Sequence, residues 1–266
     1  MKGATMICPV FIPRRSARRV RPLAVLAATL ALAAVSTHAS DAHTPPTAQP
    51  WTPATLRQAL AALPPGDAAR GRTVHETMFC ASCHGERGQA PTLNWPHLAG
   101  QKAAYTAKML LDYRDGRRLE NHGALLMRDL AQMLTPQQMA DVAAFYAQQP
   151  LPRDDGTPRA AVSAEALRQA ERLVRHGDPA RLITPCASCH GARGEGGTRE
   201  AGALAGQNPL YLRRTLLDFQ SGRRHNDAVK GMSTFAQRLT RTEIEALAVY
   251  YADPSAGRHA LRQAAR

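Results

Sequence analysis

A five-residue string, Cys80-Ala-Ser-Cys83-His84, recurs unchanged 106 residues later as Cys186-Ala-Ser-Cys189-His190. C-x-x-C-H is the pattern of covalent haem attachment. Two thiols one helical turn apart can form thioethers to the two vinyl groups of a porphyrin, and the adjoining imidazole can ligate its iron. A zinc ribbon would place its C-x-x-C pairs roughly 15–20 residues apart, far closer than these. No alternation of strands and helices surrounds either pair, so a thioredoxin-like redox motif is disfavoured as well. The expected cofactors are therefore two covalently bound haem groups, held by Cys80, Cys83 and His84 and by Cys186, Cys189 and His190.

The remaining cysteine, Cys8, lies in a segment expected to be removed, which leaves no thiol for a disulfide. Arg14, Arg15, Arg18, Arg19 and Arg21 form a positive region ahead of the apolar run Leu23–Val35, and Thr37-His38-Ala39 offers small residues for cleavage. Residues 1–39 thus read as a signal peptide for the periplasm, with cleavage after Ala42 or retention as an anchor as alternatives. The run is short for a membrane span. Loss of those residues lowers the formal charge from +13 to +7, a mildly basic surface suited to an acidic partner protein or to peripheral association with anionic lipid. Nothing resembles a basic stripe interleaved with aromatics, which argues against nucleic acid.

The repeat extends well beyond the haem motifs. Leu98-Ala-Gly-Gln101 matches Leu204-Ala-Gly-Gln207, Tyr105 matches Tyr211, and Gly116-Arg-Arg118 matches Gly222-Arg-Arg224, all at an offset of 106. Past one deletion, Met127 matches Met232, Leu134-Thr135 matches Leu239-Thr240 and Tyr146 matches Tyr251, at 105. A period of this length implies two copies of one domain. Each copy reads as all-α. Thr135 with Gln138 and Thr240 with Glu243 fit capping boxes, and apolar residues at helical spacing follow each. Further helices are expected over 103–113 and 209–219, ended by Gly116 and Gly222, and strands should be nearly absent.

Composition places a flexible leader with a short helix at 40–65, a first domain at 66–150, a linker at 151–162, a second domain at 163–256 and a basic tail at 257–266. The short linker should hold the domains side by side.

What a haem can do depends on its sixth ligand, because a soft thioether favours ferrous iron and electron transfer, whereas an open position admits oxygen or peroxide. The shared register of Met127 and Met232 makes them the candidate distal ligands, with His84 and His190 as the proximal pair. Met133, His97 and His122 in the first half and His225 in the second are rivals that do not repeat in register. Two methionines in register argue against a dihaem peroxidase. Tyr105 and Tyr211 read as core, and Arg117, Arg118, Arg223 and Arg224 as solvated surface, with hydrogen bonding to haem propionates across the domain interface as the alternative.

The doubled C-A-S-C-H-G, the L-A-G-Q with a tyrosine four residues on, the G-R-R turns, the two methionines and Leu173-Val-Arg-His-Gly-Asp178 together resemble the dihaem cytochrome c4 family, over about 66–253. The resemblance implies two class I cytochrome c domains in a periplasmic electron carrier rather than an enzyme. Its partners would be an upstream quinol-oxidising complex or dehydrogenase and, downstream, a terminal oxidase. The alternative is the cytochrome subunit of a periplasmic dehydrogenase. The family also implies a proline two residues before L-A-G-Q whose carbonyl orients the proximal histidine; Pro96 supplies it, but Gly202 stands in the second half. Glycine being less rigid, the two haems should differ in potential, and proline at 202 should bring the second toward the first.

Overall fold

The structure, a computed structural model, describes residues 48–152, 161–198 and 201–253. The expected signal peptide, the start of the leader, most of the linker and the basic tail fall outside these residues. The first half contains α1 (Pro53–Ala61), α2 (Ala68–Thr77), α3 (Ala81–His84), α4 (Ala103–Arg114), α5 (His122–Gln132) and α6 (Pro136–Ala147). The second contains α7 (Ala164–His176), a 3-10 turn at Pro179–Arg181, α8 (Ala187–His190), α9 (Pro209–Gln220), α10 (Gly231–Ala236) and α11 (Arg241–Ala252). Among the described residues there is no strand; an isolated bridge pairs Asp178 with Ile183.

Both expected capping boxes form. Thr135 Oγ1 accepts from the Gln138 N–H at 3.2 Å while Gln138 Oε1 accepts from the Thr135 N–H at 2.9 Å, and Thr240 and Glu243 exchange the same bonds at 3.2 and 2.8 Å. Helices α4 and α9 close on Asp115 and Ser221. The glycines expected to end them, Gly116 and Gly222, stand one residue further on with φ of +75° and +77°, the left-handed position that glycine takes without a Cβ penalty.

Each half has its own core. Val74, Leu110, Leu111, Met139, Val142, Phe145 and Tyr146 cluster in the first, and Leu173, Val174, Leu212, Ile244, Leu247 and Tyr251 in the second. Helix α2 crosses α6 so closely that a Cβ on Gly71 would lie 2.0 Å from the Asp141 carbonyl oxygen, so only glycine permits this crossing. The segment before α1 is strapped onto the end of α4: the Trp51 indole N–H donates to Asp112, and the Arg117 guanidinium lies 3.6 Å from the centroid of the Trp51 ring.

The halves meet through polar side chains that bind backbone. Gln101 Nε2 donates to the Ala203 carbonyl at 3.1 Å and its Oε1 accepts from the Ala203 N–H at 2.7 Å. In mirror fashion Gln207 Nε2 donates to the His97 carbonyl and its Oε1 accepts from the His97 N–H, both at 2.8 Å. Between α4 and the loop after α9, the buried Lys108 donates to Asp112 Oδ2 at 2.6 Å and to the Asn226 carbonyl at 2.7 Å, and Asn226 Nδ2 donates to the same carboxylate oxygen. Among the described residues, no helix is long and apolar enough to cross a membrane.

Candidate haem site

The two C-x-x-C-H strings fold alike. A left-handed residue, Phe79 at φ +55°, turns the chain into α3, and Cys80 accepts on its carbonyl from the His84 N–H at 3.0 Å. The second string repeats this bond between Cys186 and His190 at 3.0 Å. Glycines Gly85 and Gly191, at φ +72° and +84°, end both short helices, so each pair of thiols is spread over a single turn with its histidine at the end. Burial raises the Cys80 thiol and pushes Cys186 up to about 11.

The imidazoles are oriented by backbone. His84 Nδ1–H donates to the Pro96 carbonyl at 3.0 Å and His190 Nδ1–H to the Gly202 carbonyl at 2.8 Å. Because a carbonyl can only accept, Nδ1 carries the hydrogen and Nε2 keeps its lone pair, the tautomer that a metal ligand needs. Burial pulls His84 down to about 4, against the opposing effect of the Pro96 carbonyl, and lowers His190 for the same reason. Both rings are therefore neutral at physiological pH.

These groups face one continuous cavity of about 660 Å³, lined by both C-x-x-C-H strings, Pro96, Gly202, Met127 on α5 and Met232 on α10. Of the rival ligands, Met133, His122 and His225 do not line it, whereas His97 does; its Nδ1 accepts from the Ala90 N–H at 2.9 Å. The expectation that the arginines are solvated fails for three of the four, most completely for Arg118 and Arg224. Arg118 and Arg224 are buried, only 4% and 3% exposed, and line the cavity beside Tyr105 and Tyr211. Arg118 Nε donates to Glu120 at 3.0 Å, Arg224 Nε to Asn226 Oδ1 at 3.0 Å, and the two guanidinium groups stack on Tyr113 and Phe219. Arg117 is held by Trp51, Gln49 and Asp115; of the four, Arg223 is the one that stays largely exposed, paired with Asp218. A G-R-R turn does not say which arginine folds inward; aromatic rings on α4 and α9 are what draw in the second of each pair.

The residues fit two haems. Each half offers a thiol pair, a neutral imidazole with Nε2 directed away from its carbonyl anchor, and a thioether sulfur on the cavity wall. Buried Arg224 Nη1 and Thr106 Oγ1 have no hydrogen-bond partner, and two buried guanidinium groups share one glutamate. Carboxylate side chains on a ligand would satisfy that excess of buried donors and charge.

Packing explains why Gly202 stands where the first half has proline. Its carbonyl holds His190 as closely as Pro96 holds His84, and a Cβ on Gly202 would come within 2.9 Å of the Tyr105 ring from the first half. Glycine stands there because Tyr105 lies against it, and proline would collide with that ring.

The cytochrome c family profile matches residues 68–149 and 180–252. Cytochrome c4 of Pseudomonas aeruginosa is 35% identical over 187 residues, 70% of this chain and 87% of its own. A thiosulfate dehydrogenase electron acceptor of Stutzerimonas stutzeri is 33% identical, over 66% of this chain and 79% of its own. Among solved structures, reduced cytochrome c4 from Pseudomonas stutzeri superposes with a TM-score of 0.60 at 30% identity, covering 70% of this chain and 98% of that one. Thiosulfate dehydrogenase TsdBA from Marichromatium purpuratum gives 0.60 at 34% identity, covering 69% of this chain and 39% of that one.

Proposed function

Since the chain belongs to the cytochrome c family as a dihaem, cytochrome c4-like electron carrier with two covalent haem c groups, we propose that it accepts and passes on single electrons in the periplasm. The donor would be a quinol-oxidising complex or a dehydrogenase, and the acceptor a terminal oxidase. When bound, each haem supplies an iron that cycles between ferrous and ferric states. Cys80 and Cys83, and Cys186 and Cys189, fasten the two groups. His84 and His190 supply the proximal nitrogens. Met127 and Met232, on the cavity wall, would supply thioether sulfurs to the irons, which keeps small molecules away and favours the ferrous state. Arg118 and Arg224 neutralise the carboxylates that enter with the haems. The domain limits proposed are 66–150 and 163–256, joined by 151–162. The observation that carries the reading is the duplicated histidine anchor: two neutral imidazoles, each held by a loop carbonyl twelve residues on, opening onto one cavity.

A second reading, the electron-accepting partner of a periplasmic dehydrogenase, is favoured by the relative that carries that name and by the likeness to a chain of thiosulfate dehydrogenase. It uses the same residues and differs only in the donor.

A pyridine haemochrome assay on the mature protein is expected to count two haems, and Met127→Ala and Met232→Ala each to remove about half of the red charge-transfer absorption of methionine-ligated ferric iron. Unchanged absorption in both variants would falsify the methionine assignment. Mixing the oxidised protein with a quinol-oxidising complex, and separately with a candidate dehydrogenase, separates the two readings by which reduction is fast.

A further inference from the structure

The carbonyl of Pro96 and the N–H of His97 belong to one peptide unit, planar and stiff. Its oxygen accepts from His84 Nδ1 at 3.0 Å. Its hydrogen is donated to Gln207 Oε1, in the other half, at 2.8 Å. The Gly202–Ala203 peptide is bound in the same way, accepting from His190 Nδ1 at 2.8 Å and donating to Gln101 Oε1 at 2.7 Å. Both glutamines are buried, 7% and 6% exposed, and each also donates to the carbonyl of the residue it clamps, so its amide cannot rotate away without losing two bonds at once. The first loop is held further: Asn208, next to Gln207, donates Nδ2 to the Thr92 and Trp95 carbonyls at 3.1 and 3.2 Å. The second is covered by the Tyr105 ring resting on Gly202.

We propose that Gln101 and Gln207 are positioning residues that act across the interface: Gln207 sets the proximal histidine of the first haem, and Gln101 that of the second. This rests on His84 and His190 being iron ligands. The chemistry follows from the shared peptide. An N–H that donates to a good acceptor polarises its own carbonyl, so hydrogen bonds in a chain strengthen one another by about 10–30% each. A stronger carbonyl acceptor draws the Nδ1 hydrogen harder and makes Nε2 more basic, which favours the ferric state. Each glutamine therefore lowers the potential of the haem in the half to which it does not belong, and fixes the ring plane of that haem's histidine.

Gln207→Leu and Gln101→Leu, made separately in the full-length haem-loaded protein, test this by redox titration with the two haems resolved through their assigned NMR haem-methyl signals. Gln207→Leu is expected to raise the potential of the first haem, and Gln101→Leu that of the second. The expected change is about two- to tenfold in the reduced-to-oxidised ratio at fixed potential, about 20–60 mV at 59 mV per tenfold. In each variant the Nδ1–H resonance of the affected histidine should move upfield and exchange faster, while the other stays in place. A merely structural role predicts something else: loosening of the interface would shift both haems together, or the haem of the mutated half. Either pattern, or no shift in a variant with both haems and native circular dichroism, overturns the inference. A wild-type protein in which the imidazole ring protons of His84 or His190 show no haem-induced shift overturns the ligand reading instead, so the two failures are told apart.

Discussion

His75 has no equivalent in the second half. It is 1% exposed, and its Nδ1 is hydrogen-bonded to the Tyr146 hydroxyl at 2.8 Å. In the second half the corresponding hydroxyl, on Tyr251, is buried beside the Cys186 sulfur, with no histidine bonded to it. Burial holds His75 below its usual range, so the unfolded chain takes up a proton that the folded one refuses. Stability supplied by the neutral ring is complete above the ordinary value of about 6.5 and is lost as pH falls below it. His75→Phe, which keeps an aromatic ring against Phe145, is expected to flatten the fall in melting temperature between about pH 7 and pH 5. Thermal melts across that range check it, and an unchanged slope would assign the acid sensitivity elsewhere. At this scale the chemistry-bearing residues were legible because their spacing is chemical: a thiol pair and an imidazole in five residues mean the same in any fold. Arg118, Arg224 and Gly202 were not, because what they do is decided by a ring from another element, Tyr113, Phe219 or Tyr105, that no local pattern names.

Elements were legible where their ends carry side-chain signals. Thr135-Pro-Gln-Gln138 and Thr240-Arg-Thr-Glu243 announce α6 and α11, and both boxes close. The helices carrying the methionines were harder. Helix α5 runs for eleven residues behind an Asn121 cap, whereas α10 has six residues, starts from the left-handed Lys230 and lacks a side-chain cap, so the two copies differ where the register shifts by one. The caps differ in worth as well. Glu243, besides its box, receives Arg181 at 2.7 and 3.0 Å, and Arg181 also binds Asp178; Gln138 has the box alone. Glu243→Ala is therefore expected to cost about 2 kcal/mol and Gln138→Ala about 0.5–1 kcal/mol. Urea titrations of the two variants compare them directly, and equal losses would show that the Arg181 network adds nothing.

At the scale of the whole molecule, the halves are joined by groups that are costly to separate. Lys108 and Asp112 are 1% and 0% exposed in their side chains, and Asp112 also accepts from Asn226 and Trp51, so one carboxylate ties α4, the strap before α1 and the second half together. Asp112→Asn would leave a buried ammonium without its counter-charge, at about 3–5 kcal/mol. The expected result is an unfolding curve that splits into two transitions, as the halves lose their common anchor. Adding Lys108→Met to Asp112→Asn removes the stranded ammonium and keeps an amide oxygen to accept from Asn226 and Trp51, so it should recover part of that loss, and a double variant as weak as the single one would rule out the unpaired charge as its cause. The two-copy architecture was legible from the repeat; the way the copies bind each other was not, since Gln101 and Gln207 look in the sequence like any other repeated polar residue.

The reciprocal glutamine clamps have a consequence for heredity. Each copy contributes a part that completes the other, so a change inherited at Gln101 is felt at Ala203, in the copy that did not mutate. Two duplicated segments of a gene ordinarily drift apart independently; here neither glutamine can be lost from its own copy without leaving unfinished, in the other, the loop that anchors a histidine.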